Sequence, residues 1–425
     1  MTQSIPSIVI VGGGAGGLEL ATRLGHKLGK KRRADIVLVD KNRTHIWKPL
    51  LHEVATGSLD TSIDGVAYSA HGAKHGFRFV LGELTGADAN AKTLSLRSHE
   101  RQHTLAYDTL VIAIGSISND FNTPGVKDHC YFLDSQAQAE RFQHDLLNRF
   151  TWAHQDDEPG RVEIGIVGGG ATGVELSAEL YHVTRLLQRY GMSHMTPDRL
   201  HIRLIEAGPR ILPALPERIS QAAKQELQKL GVEVLENCKI TEANEQGFVT
   251  DSGEVLNAQL RLWAAGVKVP DFVRRIDGLV FNRANQIECD AHLRAKQVDG
   301  IYVIGDACGF LQADGRYVPP RAQAAHQMAD TAATNIIAAL NDKPLQPFEY
   351  KDHGSLVNLA RFSAVGSLMG NLTKGSLFVE GTLARLMYMS LYRMHQKAVH
   401  GLGKTIALWL AEKLIRSVKP KMKLH

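Results

Sequence analysis

Two glycine-rich turns set 156 residues apart, each following a short apolar strand and opening a helix, predict an α/β chain with two Rossmann-like dinucleotide-binding domains. An acid ends the strand that follows each turn, which completes both patterns. A basic, partly apolar C-terminal stretch predicts an additional region that associates with membranes.

The first turn comes early. Ser7-Ile8-Val9-Ile10-Val11 reads as a buried strand, Gly12 to Gly17 as the turn, and Leu18 onward as a helix. Gly12 permits the tight turn, Gly14 lets the backbone approach a pyrophosphate, and Gly17 lets helix and strand pack closely. The helix N-terminus offers unpaired N–H groups and a favourable dipole to the phosphates. The next strand, Ile36–Val39, ends in Asp40, 23 residues after Gly17, placed to accept hydrogen bonds from a ribose diol.

The second turn repeats the first. Glu163–Val167 leads into Gly168, Gly170 and Gly173, and Val174-Glu175-Leu176 opens the helix. The strand His201–Ile205 ends in Glu206, 33 residues after Gly173. The usual spacing is about 20, so a longer crossover helix through Arg185-Leu186-Leu187 is expected. An acid here suits the free 2′-hydroxyl of NADH and repels the 2′-phosphate of NADPH. Arg210 stands close by and keeps NADPH open. Two fingerprints mean two dinucleotides, a flavin and the nicotinamide that reduces it.

Three further strands end in small residues: Tyr107–Ser116, Leu262–Gly266, and Gly300–Ala307 with Gly305-Asp306 at its end. This order resembles the two-dinucleotide flavoproteins of the glutathione reductase-like group, in which the NAD(P)H domain is inserted into the FAD domain. The resemblance implies that Gly305 and Asp306 belong to the FAD site, with Asp306 on the ribityl chain. It places the FAD domain at 1–120 and 290–350, the NADH domain at 121–289, and a C-terminal membrane or dimer region at 351–425.

Composition agrees with several domains, since 425 residues exceed what one core supports. The net charge of +5 is uneven: from Gly381 to His425 nine Lys or Arg face one acid, Glu412. A local basic surface implies an anionic partner. The four cysteines, at 130, 238, 289 and 308, match neither a CxxC pair nor a zinc pattern, so reduced structural thiols and no metal are expected. No run reaches the roughly 18 apolar residues of a membrane span. The N-terminus has no basic region before its apolar strand, so no signal peptide is expected.

Disulfide reductases of this group carry two cysteines just after the first acid-ended strand. His45 to Gly57 contains none. The chain instead resembles the bacterial type II NADH dehydrogenases, single-subunit NADH:quinone oxidoreductases. The resemblance rests on PLLHEVATGSLD, YDTLVIAIGS, VGGGATGVELSAEL, WAAGVKVPDF, PPRAQAAHQMA, YKDHGSLVNL, VGSLMGNLTKGS and LYRMHQ, spread over the whole chain. It implies FAD without metal, NADH and a membrane quinone as substrates, and no proton pumping. It further implies a homodimer and attachment to the cytoplasmic face of the inner membrane. Sulfide:quinone reductase-like and ferredoxin reductase-like flavoproteins are the alternatives. The first needs redox cysteines near the flavin, which Cys130 and Cys308 do not match.

Within Ala322–Gln327, Gln323, His326 and Gln327 fall on one helix face. In the resembling family this segment lies where the quinone head enters, so the two amides are expected to orient quinone carbonyls. His326 is expected to pass a proton. The family counterpart of Glu175 faces nicotinamide and flavin; the alternative is an acid that merely favours the helix N-terminus. In the tail, Leu383, Leu386, Met387, Met389, Leu391 and Met394 form an apolar segment. Arg385, Arg393, Gln396, Lys397, His400 and Lys404 gather on a polar sector, with His395 off it. Ile406–Leu410 then precedes Lys413, Arg416 and Lys419, which suits an anionic membrane surface. No nucleic-acid motif accompanies this charge.

Overall fold

The computed structural model describes residues 5–99, 101–155, 161–359, 363–369, 376–380, 392–418 and 422–423. The chain divides into two compact units. The first comprises Met1–Trp47, Gly65–Ile117 and Val267–Lys351; the second comprises Lys48–Asp64, Ser118–Gly266 and Asp352–His425.

The first unit is built on a five-stranded parallel sheet in the order Ile301–Val303, Thr109–Ile112, Ser7–Val11, Asp35–Asp40, Arg78–Leu81. Ile8, Val9, Ile10, Val37, Leu38 and Val39 are all buried. Their unbroken apolar run is what a parallel strand covered on both faces requires. Helix Ala15–Leu24 follows the first strand, and helix Ala322–Ala339 lies along it. The approach is close because the contact is made of small residues: a Cβ on Gly16 would stand 2.9 Å from the carbonyl oxygen of Ala325. Glu19 pairs with His326 and Arg23 with Asp330, one turn further along both helices.

The second unit repeats the plan with four parallel strands in the order Glu233–Leu235, Leu200–Ile205, Val162–Val167, Leu260–Trp263. The long crossover is there: helix Ala171–Arg189 is followed by a single turn at Pro197–Arg199 before the next strand. Helix Gln136–Gln155 and an antiparallel sheet of Ile240–Ala243, Gly247–Thr250 and Val255–Asn257 complete the core of this unit.

This division differs from the boundaries drawn on sequence. Lys48–Asp64 groups with the second unit because its polar side chains are bound there, Ser58 by Glu179 and Thr61 by Glu140. Val267 onward returns to the first unit, where Ile287 pairs with Cys308. The C-terminal stretch groups with the second unit. It contributes the antiparallel strands Ser355–Leu359, Ser363–Met369 and Ser376–Glu380, a helix over 392–400 and helix Leu402–Val418. Near its end, Lys423 N–H donates to the Gly57 carbonyl at 2.8 Å, and its own carbonyl accepts from Gln143 Nε2 at 2.8 Å.

The expected apolar segment of the tail, Leu383 to Leu391 with Arg385, lies outside the described residues, as does Lys419. The polar sector is corrected where it is described. Gln396 is buried, and Arg393 turns to Gln396 Oε1 at 2.6 Å and to Glu412, so these groups bond to one another rather than face solvent together. Lys397 and Lys404 of that sector are exposed, and an apolar stripe is exposed as well: Leu402, Ile406, Leu410, Leu414 and Val418, each one turn from the last. Among the described residues no helix is long and apolar enough to cross a membrane.

Candidate nucleotide and acceptor sites

At the first turn, Gly12 has φ +102°, and a Cβ on Gly17 would stand 1.8 Å from the Gly12 carbonyl oxygen. Neither position admits a side chain. A Cβ on Gly14 would meet nothing within 4 Å, so the turn faces open space on the side where a pyrophosphate would approach. Gly13 N–H donates to Asp40 Oδ2 at 2.7 Å and Asn42 N–H donates to Asp40 Oδ1 at 2.7 Å. Burial pushes the Asp40 carboxyl above its ordinary range, and these two donors oppose the shift. Each oxygen keeps a lone pair for a ribose hydroxyl. The Gly13 carbonyl accepts the Tyr68 hydroxyl at 2.8 Å and lies 2.9 Å from His45 Nδ1. Both backbone polar groups of Gly13 are therefore held.

Gly305 and Asp306 sit at the end of the returning strand. Gly305 has φ +72°, and its N–H points at Met328 Sδ, 3.2 Å away. Asp306 Oδ2 accepts from Ser116 Oγ at 2.6 Å, and its carbonyl accepts from Gln286 Nε2 at 3.0 Å. The space at Gly14, the pinned Asp40 and the oriented Asp306 fit a bound FAD.

The second turn has the same construction. Gly168 has φ +116°, a Cβ on Gly170 would meet nothing within 4 Å, and one on Gly173 would stand 2.1 Å from the Gly168 carbonyl oxygen. Glu206 accepts Gly169 N–H at 2.8 Å on Oε2 and Gly208 N–H at 2.7 Å on Oε1. Arg210 turns its guanidinium to the Leu215 and Pro213 carbonyls, at 2.7 and 2.9 Å, and is thereby occupied away from a 2′-phosphate.

Glu175 lies in the first turns of the following helix with only 6% of its surface exposed. His52 Nδ1 stands 3.5 Å from its Oε2. Burial lowers the His52 imidazole to about 4, so at neutral pH this is a neutral ring beside a carboxyl rather than an ion pair.

On helix Ala322–Ala339, Gln323, His326 and Gln327 do share a face. Their partners differ. Gln327 donates through Nε2 to the Lys351 carbonyl at 2.8 Å and accepts Lys351 N–H on Oε1 at 2.9 Å, so its amide clasps backbone. His326 is bound through Nδ1 to Glu19, whose hydrogen bond raises the imidazole above its ordinary range. Gln323 is half-buried in the first turn.

Residues 6–329 match the pyridine nucleotide-disulphide oxidoreductase family. The chain is 47% identical to the type II NADH:quinone oxidoreductase of Haemophilus influenzae, over 99% of this chain and the whole of that protein. It is 30% identical to that of Staphylococcus aureus, over 88% of this chain and 92% of that one.

The chain belongs to the type II NADH:quinone oxidoreductase family.

Solved structures agree on the fold. NDH2 from Plasmodium falciparum, in complex with NADH, superposes with a TM-score of 0.84 at 18% identity, covering 99% of this chain and all of that one. The sulfide:quinone oxidoreductase of Aquifex aeolicus gives 0.74 at 17% identity, over 97% and 95%. In this family member the stretch His45–Gly57 has no cysteine, and all four cysteines are free. The sequence reading missed Tyr68, His45 and Ser116 around the first turn, and His52, Ser58 and Glu179 around the second. Only the last group left a trace. His52 and Ser58 stand, with Glu53 and Thr56, among the apolar and small residues of PLLHEVATGS, where any polar member that is buried needs a partner.

Proposed function

We infer that this chain oxidises NADH and reduces a quinone through bound FAD, as a non-proton-pumping respiratory dehydrogenase. The observation that carries the reading is the pair of carboxylate-latched glycine turns, Gly13 with Asp40 and Gly169 with Glu206, in a chain of this family. We assign FAD to the first unit and NADH to the second. FAD, when bound, supplies the two-electron relay from hydride donor to quinone. The chain supplies alignment: glycine turns seat the pyrophosphates, and Asp40 and Glu206 hold the riboses. Glu175 is assigned to place the nicotinamide, and hydride transfer then needs no acid or base on the protein. Gln323 is assigned to the quinone head and His326, held by Glu19, to a proton. Gln327, whose amide holds the backbone at Lys351, is assigned to the same pocket as Gln323.

The test is NADH oxidation by purified, FAD-loaded protein with and without a soluble short-chain quinone, in parallel with NADPH. Fast turnover that requires quinone and prefers NADH supports the reading. Flavin bleached by NADH but not recoloured by quinone would turn the search to ferredoxin-like or sulfur acceptors.

The exposed stripe Leu402–Val418 supports a foot lying on an anionic membrane. Trp409 adds its ring beside the stripe, and Lys413 Nζ sits 4.1 Å from the ring centroid. Homodimerisation and attachment to the cytoplasmic face of the inner membrane extend the same reading, on the strength of the family resemblance. Protein truncated after Gly375 should stay in the supernatant when anionic vesicles are pelleted. Its retention on them would count against the foot.

A further inference from the structure

Helix Ala171–Arg189 carries two acids one turn apart, Glu175 and Glu179, exposed by only 6% and 7%. A buried carboxyl without polar partners is costly, so each needs a fixed neighbour. One polar neighbour of each comes from the same stretch, far away in sequence. His52 faces Glu175 across 3.5 Å, and Ser58 Oγ donates to Glu179 Oε1. The stretch is itself anchored on its other side. Thr61 Oγ1 donates to Glu140 at 2.7 Å, and the Gly57 carbonyl accepts Lys423 N–H at 2.8 Å. The segment thus lies across the helix, with the His52 ring, hydrogen-bonded to Pro49 backbone, against Glu175 and Ser58 bonded to Glu179.

We propose that His52 is a positioning residue for NADH oxidation, holding the Glu175 carboxyl where the nicotinamide meets it. The proposal rests on the assignment of Glu175 given above. His52 has 2% of its surface exposed, and its ring cannot swing without leaving a cavity. Glu175, by contrast, has a flexible stem that a rigid neighbour helps to hold still. Placement matters at this point, because a shift of about 1 Å can cost on the order of 100-fold in rate. The neutrality of His52 is part of the arrangement. As hydride leaves NADH, positive charge grows on the nicotinamide, and a nearby carboxylate stabilises it. An imidazolium in the same place would cancel that charge. A neutral ring orients the carboxyl without adding a positive charge beside the nicotinamide.

The test uses full-length, FAD-loaded enzyme and stopped-flow absorbance. Bleaching of the flavin by NADH and its recolouring by a short-chain quinone are timed separately. His52→Leu should lower the limiting bleaching rate about tenfold or more, leave the NADH dissociation constant within about threefold, and leave recolouring unchanged. His52→Asn keeps an N–H donor and should recover most of the lost rate. Glu175→Gln should lose a comparable factor, and adding His52→Leu to it should cost little more, because both act through one group. Wild-type bleaching in His52→Leu, or losses that multiply in the double variant, would overturn the proposal and leave Glu175 in place. Wild-type bleaching in Glu175→Gln would overturn the Glu175 assignment itself. If the leucine variant fails to retain FAD, His52→Ala against His52→Asn makes the same comparison, and equal bleaching rates would overturn the proposal.

Discussion

The backbone N–H of Gly13 donates to Asp40 Oδ2 at 2.7 Å, locking the first glycine turn to the acid that ends the next strand. Gly169 and Glu206 repeat the bond at 2.8 Å. In both cases the second carboxylate oxygen accepts another backbone N–H, from Asn42 or from Gly208, two residues beyond the acid. Each acid therefore has two tasks: it shapes the turn, and it keeps lone pairs for a ribose.

That double role gives the first prediction. Glu206→Gln sets an amide N–H against a backbone N–H and should raise the KM for NADH about tenfold, roughly 1.4 kcal/mol. FAD content should stay at the wild-type level. Asp40→Asn should do the reverse and yield protein that loses its flavin on gel filtration. Steady-state kinetics and the flavin absorbance of the eluted protein check the two outcomes.

His52 predicts a pH dependence of stability. Its folded value is lowered from 6.5 to about 4, so between those limits the unfolded chain binds a proton that the folded chain refuses. Stability should therefore fall as pH drops from 6.5 toward 4, by on the order of 3 kcal/mol for this group alone. His52→Leu should flatten that part of the profile, as read from chemical denaturation at a series of pH values.

His326 carries the opposite sign. Its hydrogen bond with Glu19 raises it above 6.5, so its contribution is complete below 6.5 and is lost as pH rises through the folded value. Glu19→Gln should bring the His326 titration, followed by NMR of the imidazole, back toward the ordinary value. An unmoved titration would show that Glu19 does not control the ring.

Gly57 predicts a backbone effect. It has φ +76°, and a Cβ there would stand 2.8 Å from Gln143 Nε2 and 2.9 Å from the Lys423 carbonyl oxygen. Gly57→Ala should destabilise the protein by about 1–3 kcal/mol through strain and loss of the Lys423 clasp. Differential scanning calorimetry should show a lower Tm, and the loss should shrink in protein already lacking Met422 onward.

Much of the nucleotide-binding plan was legible in the residues. An apolar run, three glycines at fixed offsets and an acid on the next strand form a local pattern, and each part has a local steric or electrostatic reason. Cysteine-free His45–Gly57 likewise spoke against dithiol chemistry without any coordinates. The partners of the side chains were a different matter. Gln323, His326 and Gln327 share a helix face by periodicity alone, yet periodicity does not say that Gln327 clasps Lys351 or that His326 meets Glu19, 307 residues earlier.

Neighbours along the chain were enough for the strands beside each glycine turn, the turns themselves and the acids that serve them, but not for the edge strands Arg78–Leu81 and Glu233–Leu235. Only the tertiary structure decided that Lys48–Asp64 leaves the unit of its flanking strands to grip Glu175 and Glu179. It also decided that Lys423 closes on Gly57 and Gln143. These bonds join residues more than 100 positions apart, and what selects them is the cost of leaving buried polar groups unpaired. That cost is set by the packing of the whole unit and cannot be read from any one segment.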